Sequence, residues 1–105
     1  LGYSNGANLL GAAMLLHPGM VRRAILLRPV MVLDAVPETD LTGTQVLVVL
    51  GENDAFRQAG ERLADALAQS GAEVSIRILG GRHELGPEDA PAITNWLNHA
   101  ALGPT

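Results

Sequence analysis

The sequence predicts an α/β fold, a parallel sheet with helices on its faces. Three observations carry this. Short continuous apolar runs at residues 24–27 and 46–50 read as strands buried on both faces, the usual state of strands in parallel sheets. Segments with helical periodicity lie at 58–70 and 89–101. Strands and helices alternate along the chain, and alternation implies parallel strands joined by right-handed crossovers.

Gly2-Tyr3-Ser4-Asn5-Gly6 opens the chain with a G-x-S-x-G pattern. In that pattern a strand ends, the chain reverses, and a helix begins with the serine at the apex. Gly2 and Gly6 are expected where side chains would collide as strand and helix close up. Residues 5–17 are almost all small or apolar, which predicts a helix buried on most faces. His17-Pro18-Gly19 ends it. Residues 24–27 form the next strand. Residues 28–44 carry Pro29, Asp34, Pro37, Glu38, Asp40 and Gly43, and no element is predicted there. Residues 45–50 form a second buried strand, and Gly51-Glu52-Asn53-Asp54 a turn. The helix at 58–70 has an apolar stripe of Ala59, Leu63, Ala66 and Leu67, with Glu61, Arg62, Asp65 and Gln69 toward solvent. Gly71 is its expected C′ residue. Val74, Ile76 and Ile78 alternate with Ser75 and Arg77, so this strand is half-buried and near a sheet edge. A loop at 80–86 holds His83. The last helix, at 89–101, buries Ile93, Trp96, Leu97 and Ala100, with Pro91 in its first turn. Gly103-Pro104-Thr105 should fray.

Composition excludes several functions. Net charge is −4, from 11 acidic and 7 basic residues, and every basic residue is a scattered arginine. No cluster exists to neutralise phosphates, so no nucleic-acid partner is expected. Without cysteine there is no disulfide or thiolate metal site, and a cytoplasmic location is expected. No apolar run approaches the ~20 residues of a membrane span, and no signal peptide is expected. No cofactor or metal is expected either. The 105 residues suffice for one small domain. However, the chain starts without Met and only Leu1 precedes Gly2, although the turn needs a strand before it. Residues 1–105 are therefore expected to be the C-terminal part of a single larger domain, with elbow, three strands and three helices.

Reactive groups in open parallel sheets gather at the carboxyl ends of strands. Ser4, Asp54 and His83 each follow a predicted strand, in the order Ser…Asp…His. A serine hydroxyl needs a base to take its proton as it attacks. An imidazole does this and returns the proton to the leaving group. A carboxylate fixes the imidazole tautomer and stabilises the imidazolium. The Asn5 amide, at the helix start, points where an oxyanion would form. Asp54 has an alternative role as a helix cap, and Asp34 is the competing acid. His17 fits the end of its helix, where the dipole favours it. His99 lies away from any strand end.

Gly2-Tyr3-Ser4-Asn5-Gly6-Ala7-Asn8, Leu26-Leu27-Arg28-Pro29, Gly51-x-x-Asp54 and Gly81-Arg82-His83-Glu84-Leu85 together resemble the bacterial α/β-hydrolases of the phospholipase/carboxylesterase group, most closely the hydroquinone-resistance type of carboxylesterase. The resemblance implies the C-terminal half of an α/β-hydrolase fold. It implies a serine esterase with Ser4 as nucleophile, Asp54 as acid, His83 as base and the Asn5 N–H as one oxyanion donor. Its substrates would be small carboxylic esters, with thioesters as a further class. Two departures stand out. The His-Gly loop that supplies the family's second oxyanion donor is absent, and Ala55-Phe56 follows the acid where the family commonly has Pro and an apolar residue. A dienelactone-hydrolase-like lactone opening is a second reading, disfavoured because that group typically carries Cys where Ser4 stands. A third is an inactive half-domain that acts only by association. In either case the open sheet edge is expected to be covered by the N-terminal half of the fold or by another chain, a second copy included.

Overall fold

A computed structural model describes residues 1–102, apart from the side chains of 100–102. Ala100's side chain and the tail 103–105 thus lie outside the described residues. The order is β1 (Gly2–Tyr3), α1 (Asn5–Leu16), β2 (Arg23–Leu27), β3 (Gln45–Gly51), α2 (Arg57–Gln69), β4 (Glu73–Leu79) and α3 (Asp89–Leu102). All pairings are parallel and the sheet order is β1-β2-β3-β4. The expected three strands are joined by a fourth. Gly2 and Tyr3 form a two-residue strand against Leu26 and Leu27, so β2 lacks an outer neighbour only over its first residues.

Successive side chains of a strand point to opposite faces, and this builds three layers. Ala24 and Leu26 of β2 and Val46, Val48 and Leu50 of β3 face α1 and α2, meeting Met14, Leu15, Leu63 and Leu67. Ile25, Leu27, Leu47 and Val49 point the other way, under Ile93 and Trp96 of α3. Arg23 stacks on the Trp96 ring at 5.3 Å. Residues 28–44 contain no helix or strand, as expected, yet they are anchored. Leu41 is buried, and its N–H bonds Ser70 C=O at 2.7 Å. Beside it, the Thr42 hydroxyl and N–H both donate to Asp40, which holds that carboxyl below the usual range. Gly71 is the C′ residue of α2 at φ +101°. The bonds Gly71 N–H to Ala68 C=O and Ala72 N–H to Leu67 C=O complete a Schellman motif.

Four expectations change. α1 is buried on one face only: Ala7, Gly11, Met14 and Leu15 are covered, whereas Leu9 and Leu16 are exposed. β4 is open on both faces at its centre, with Ile76 and Ile78 exposed, because α2 reaches only its start. In α3 the buried positions are Asp89 and Ala92, with Ile93 and Trp96 half-buried and Leu97 exposed. In α2, Gly60 and Ala64 are buried as well, and Ala59 is only half-buried.

Gly60 explains how α2 comes so close to the sheet. A Cβ there would lie 2.5 Å from Leu50 Cδ2 and 2.8 Å from the Pro29 carbonyl. Alanine improves helix propensity by ~1 kcal/mol, but overpacking against backbone costs about 1–3 kcal/mol. Gly60→Ala should therefore lower the urea midpoint. A midpoint at or above the parent's would show that α2 can move outward freely.

Candidate active site

Each strand end contributes one residue to a single cluster. Ser4 follows β1, Arg28 follows β2, Asp54 lies beyond β3 and His83 beyond β4. Ser4 has φ 54° and ψ −115°, a positive-φ conformation that L residues rarely adopt. Its N–H bonds Leu27 C=O at 2.9 Å, continuing the sheet ladder, and its C=O accepts from Asn8 N–H at 2.9 Å, starting the helix. The sharp reversal needs Gly2, where a Cβ would sit 2.7 Å from backbone atoms of Gly6 and Ala7. Gly6 corrects the expectation, since a Cβ there meets nothing within 4 Å.

The structure brings Ser4, His83 and Asp54 together. Ser4 Oγ lies 2.8 Å from His83 Nε2, and His83 Nδ1 lies 2.8 Å from Asp54 Oδ2. Asp54 is buried, while the His83 ring is part-exposed. The second Asp54 oxygen accepts from Phe56 N–H at 2.9 Å. Asp54 thus closes a turn before α2 and faces His83, but α2 has no side-chain cap. Asp34 lines a separate open depression beside α2, with Arg62 and Asp65, and is not bonded to His83. Asn5 is the first residue of α1, and the helix ladder starts only at Asn8 N–H, so the Asn5 N–H precedes it. His99 Nδ1 bonds Asn95 C=O inside α3, and His17 caps the end of α1; neither joins the cluster. The Tyr3 and Phe56 rings flank His83, at 6.0 and 5.6 Å between centroids. Beside them opens a cleft of about 560 Å³, lined by Ala55, Phe56, Arg82 and Glu84.

Two residues were not foreseen as part of the site. Arg28 is 1% exposed and has φ 53°. Its guanidinium makes a bidentate pair with Asp89, Nη1 to Oδ1 at 2.8 Å and Nη2 to Oδ2 at 3.0 Å. Nε donates to Arg82 C=O at 3.0 Å and Nη2 to Glu84 C=O at 3.4 Å. Asp89 also accepts from Gly86 N–H at 2.7 Å. The available signal was an arginine directly after a fully apolar strand, with an acidic residue in the first turn of a later helix. Among the described residues no group of three His, Cys, Asp or Glu is placed to hold a metal, and no helix is long and apolar enough to cross a membrane.

The fold has known counterparts. No protein-family profile matches the chain. A carboxylesterase from Mesorhizobium loti superposes with a TM-score of 0.88 and 47% identity, over 98% of this chain and 48% of that one. The fold is the α/β-hydrolase fold. A Bacillus cereus carboxylesterase shares the same α/β-hydrolase architecture, with TM-score 0.86 and 24% identity over 92% of this chain and 47% of its own. In sequence, the chain is 28% identical over 104 residues to MhqD of Bacillus subtilis (strain 168), a protein named as a hydrolase; the match covers 97% of this chain and 52% of MhqD. The chain therefore spans about half the length of the relatives it matches.

The glycine geometry of this α/β-hydrolase elbow gives a contrast. Gly2→Ala should cost about 3 kcal/mol or more, because the clash is with the Gly6–Ala7 backbone at the start of α1, which cannot turn aside as a side chain could. Gly6→Ala should stay within about 1 kcal/mol of the parent, since only helix propensity changes. Urea unfolding of the two variants checks this, and equal losses would remove the steric account of the elbow.

Proposed function

We propose that the protein is a serine hydrolase that cleaves carboxylic esters, thioesters being a further substrate class, through an acyl-enzyme on Ser4. The single observation that carries this reading is the unbroken hydrogen-bond chain Ser4 Oγ–His83–Asp54, with 2.8 Å at each step. The names of the carboxylesterase and hydrolase relatives support the same reaction class.

The chemistry follows from that chain. With His83 neutral and its proton on Nδ1, Nδ1–H donates to Asp54 Oδ2 and the free Nε2 lone pair accepts from Ser4 O–H. As Oγ attacks the ester carbonyl carbon, the proton passes to Nε2, and Asp54 stabilises the imidazolium that forms. The carbonyl oxygen becomes an oxyanion, which the Asn5 N–H stabilises. On collapse the C–O bond to the alcohol breaks, and His83 Nε2–H protonates the leaving oxygen. A water then repeats the sequence, its proton passing to Nε2 and finally to Ser4 Oγ, releasing the acid. A second oxyanion donor would come from the His-Gly loop that the family resemblance implies, a motif that residues 1–105 do not contain. Acyl and alcohol preferences depend on walls that this chain supplies only in part, through Ala55, Phe56, Arg82 and Glu84 of the cleft beside His83.

The open side of the molecule belongs to the same proposal. Leu9 and Leu16 stand two turns apart on α1, 72% and 53% exposed. Fully burying a leucine side chain is worth roughly 1.5–3 kcal/mol. In the complete enzyme the remainder of the fold covers this face and the free side of β1. A half-domain that acts by docking onto another chain would use the same face.

Three measurements test the reading. In the complete protein a fluorophosphonate should label Ser4, and Ser4→Ala should abolish both labelling and ester hydrolysis. Asp54→Asn should lower kcat far more than Asp34→Asn, up to the ~10⁴ lost on the corresponding change in a serine protease. A crippled Asp34→Asn with an active Asp54→Asn would reverse the assignment. Because the attack needs the Nε2 lone pair, kcat/KM should fall about tenfold per pH unit on the acid side of one titration. A rate that does not fall as acid is added to the folded protein would remove His83 as base.

A further inference from the structure

The loop that carries His83 has no secondary structure of its own, and its position comes from elsewhere. Four consecutive carbonyls, Gly81 to Glu84, each accept a hydrogen bond from another part of the chain. Asn53 N–H bonds Gly81 C=O at 2.8 Å. Arg28 Nε bonds Arg82 C=O at 3.0 Å, Tyr3 Oη donates to His83 C=O at 3.2 Å, and Arg28 Nη2 bonds Glu84 C=O at 3.4 Å. Two of the four donors come from one side chain. That side chain cannot swing away, because the same guanidinium is locked on both Asp89 oxygens and is almost fully buried. Asp89 in turn holds Gly86 N–H, three residues past His83. The loop is therefore gripped on both sides of the imidazole.

We infer that Arg28 is a positioning residue for His83: through Asp89 it fixes the Arg82–Glu84 backbone so that Nε2 meets Ser4 Oγ while Nδ1 meets Asp54, and Tyr3 supplies the third contact. Arg28 is almost fully buried, and its guanidinium bonds Asp89, Arg82 and Glu84 rather than Ser4 or the His83 ring. A guanidinium fork suits this task and an ammonium does not, since two carbonyls and a carboxylate must be met in fixed directions. The inference rests on the hydrolase reading for its kinetic consequence but not for its geometry.

Arg28→Gly is the informative variant, because glycine accepts the positive φ and leaves a space the size of the missing group. In the complete protein, the NMR signal of the His83 Nδ1–H bonded to Asp54 should be present in the parent and lost in Arg28→Gly. Millimolar guanidinium chloride should restore it, and equal sodium chloride should not. In parallel, kcat should fall about 10²-fold, the effect of roughly 1 Å of misplacement, with KM changed less than about threefold because substrate contacts remain. Guanidinium should recover kcat, and Arg28→Lys should stay impaired. If Arg28→Gly does not fold, Tyr3→Phe reads the third contact on a part-exposed ring: the Nδ1–H signal should shift or broaden and kcat should drop with KM unchanged. A folded Arg28→Gly that keeps both signal and kcat overturns the inference, as does Tyr3→Phe with an unaltered signal. If the signal responds to Arg28 and guanidinium as expected while the parent hydrolyses no ester, the positioning role stands and the esterase reading falls.

Discussion

A buried guanidinium constrains this structure more than any other single group. An unpaired cation removed from water would be very costly. Burial is tolerable only with a full set of acceptors, and these come from three places: the Asp89 carboxylate and the Arg82 and Glu84 carbonyls. Breaking one partner of such a pair typically costs 3–5 kcal/mol, because the other is left charged and dry. The end of β2, the start of α3 and the loop before it are thereby forced into one arrangement. The pair adds little stability over an apolar core of equal volume; what it contributes is a fixed geometry where the chain has no helix or strand to provide one.

The need for that geometry comes from the sheet order. Neighbouring strands lie about 4.8 Å apart, so the ends of β1 and β4 are separated by roughly 14 Å. Ser4 stands at one side and His83 starts from the other. The loop after β4 must travel back over the ends of β3 and β2 before the imidazole reaches the hydroxyl. Its supports fall in that order: Asn53 after β3, Arg28 after β2, and Tyr3 in β1. Gly51, the last residue of β3, lies directly beneath the crossing, where a Cβ would collide with the Arg82 carbonyl. Asp54, beyond the same strand, meets the imidazole from below. The glycine and the carboxylate serve one crossing.

Much of this was legible in the residues themselves. Continuous apolar runs gave the buried strands β2 and β3, and Gly71 gave the end of α2, because these depend on local physics. Ser4, Asp54 and His83 were singled out because each follows a strand, and strand ends in parallel sheets converge; the three side chains do meet. Arg28 and Asp89 were not found as a pair. They are 61 residues apart, and a sequence displays a charge without its partner. Gly60 was missed for a related reason, since its value lies in Leu50 and Pro29, which approach it from other elements. The burial of α1, β4 and α3 was overestimated at Leu9, Leu16, Ile76, Ile78 and Leu97. Apolar character shows that a side chain favours cover, not that this chain supplies it. On α1 the exposed leucines share a molecule with a sheet whose β1 side is open, in a chain that spans half the length of its relatives.

Backbone strain marks the same two points as the polar network. Among the described residues, Ser4 and Arg28 are the two non-glycine residues with positive φ, at 54° and 53°, and they follow adjacent, paired strands. Such conformations cost of order 1–3 kcal/mol each and persist only where surroundings over-determine them. Both residues meet that condition. Ser4 is held by its N–H on Leu27, its C=O on Asn8 and its Oγ on His83. Arg28 is held by its N–H on Val49 and by its guanidinium. In each case the strained turn lets the chain leave the sheet abruptly while the side chain stays at the strand end. A relaxed extended residue would carry the next strand position onward, and its side chain would follow the pleat into one layer of the core. The fold thus accepts strain at two neighbouring positions, and both side chains so displayed end on the His83 loop, one on its ring and the other on its backbone.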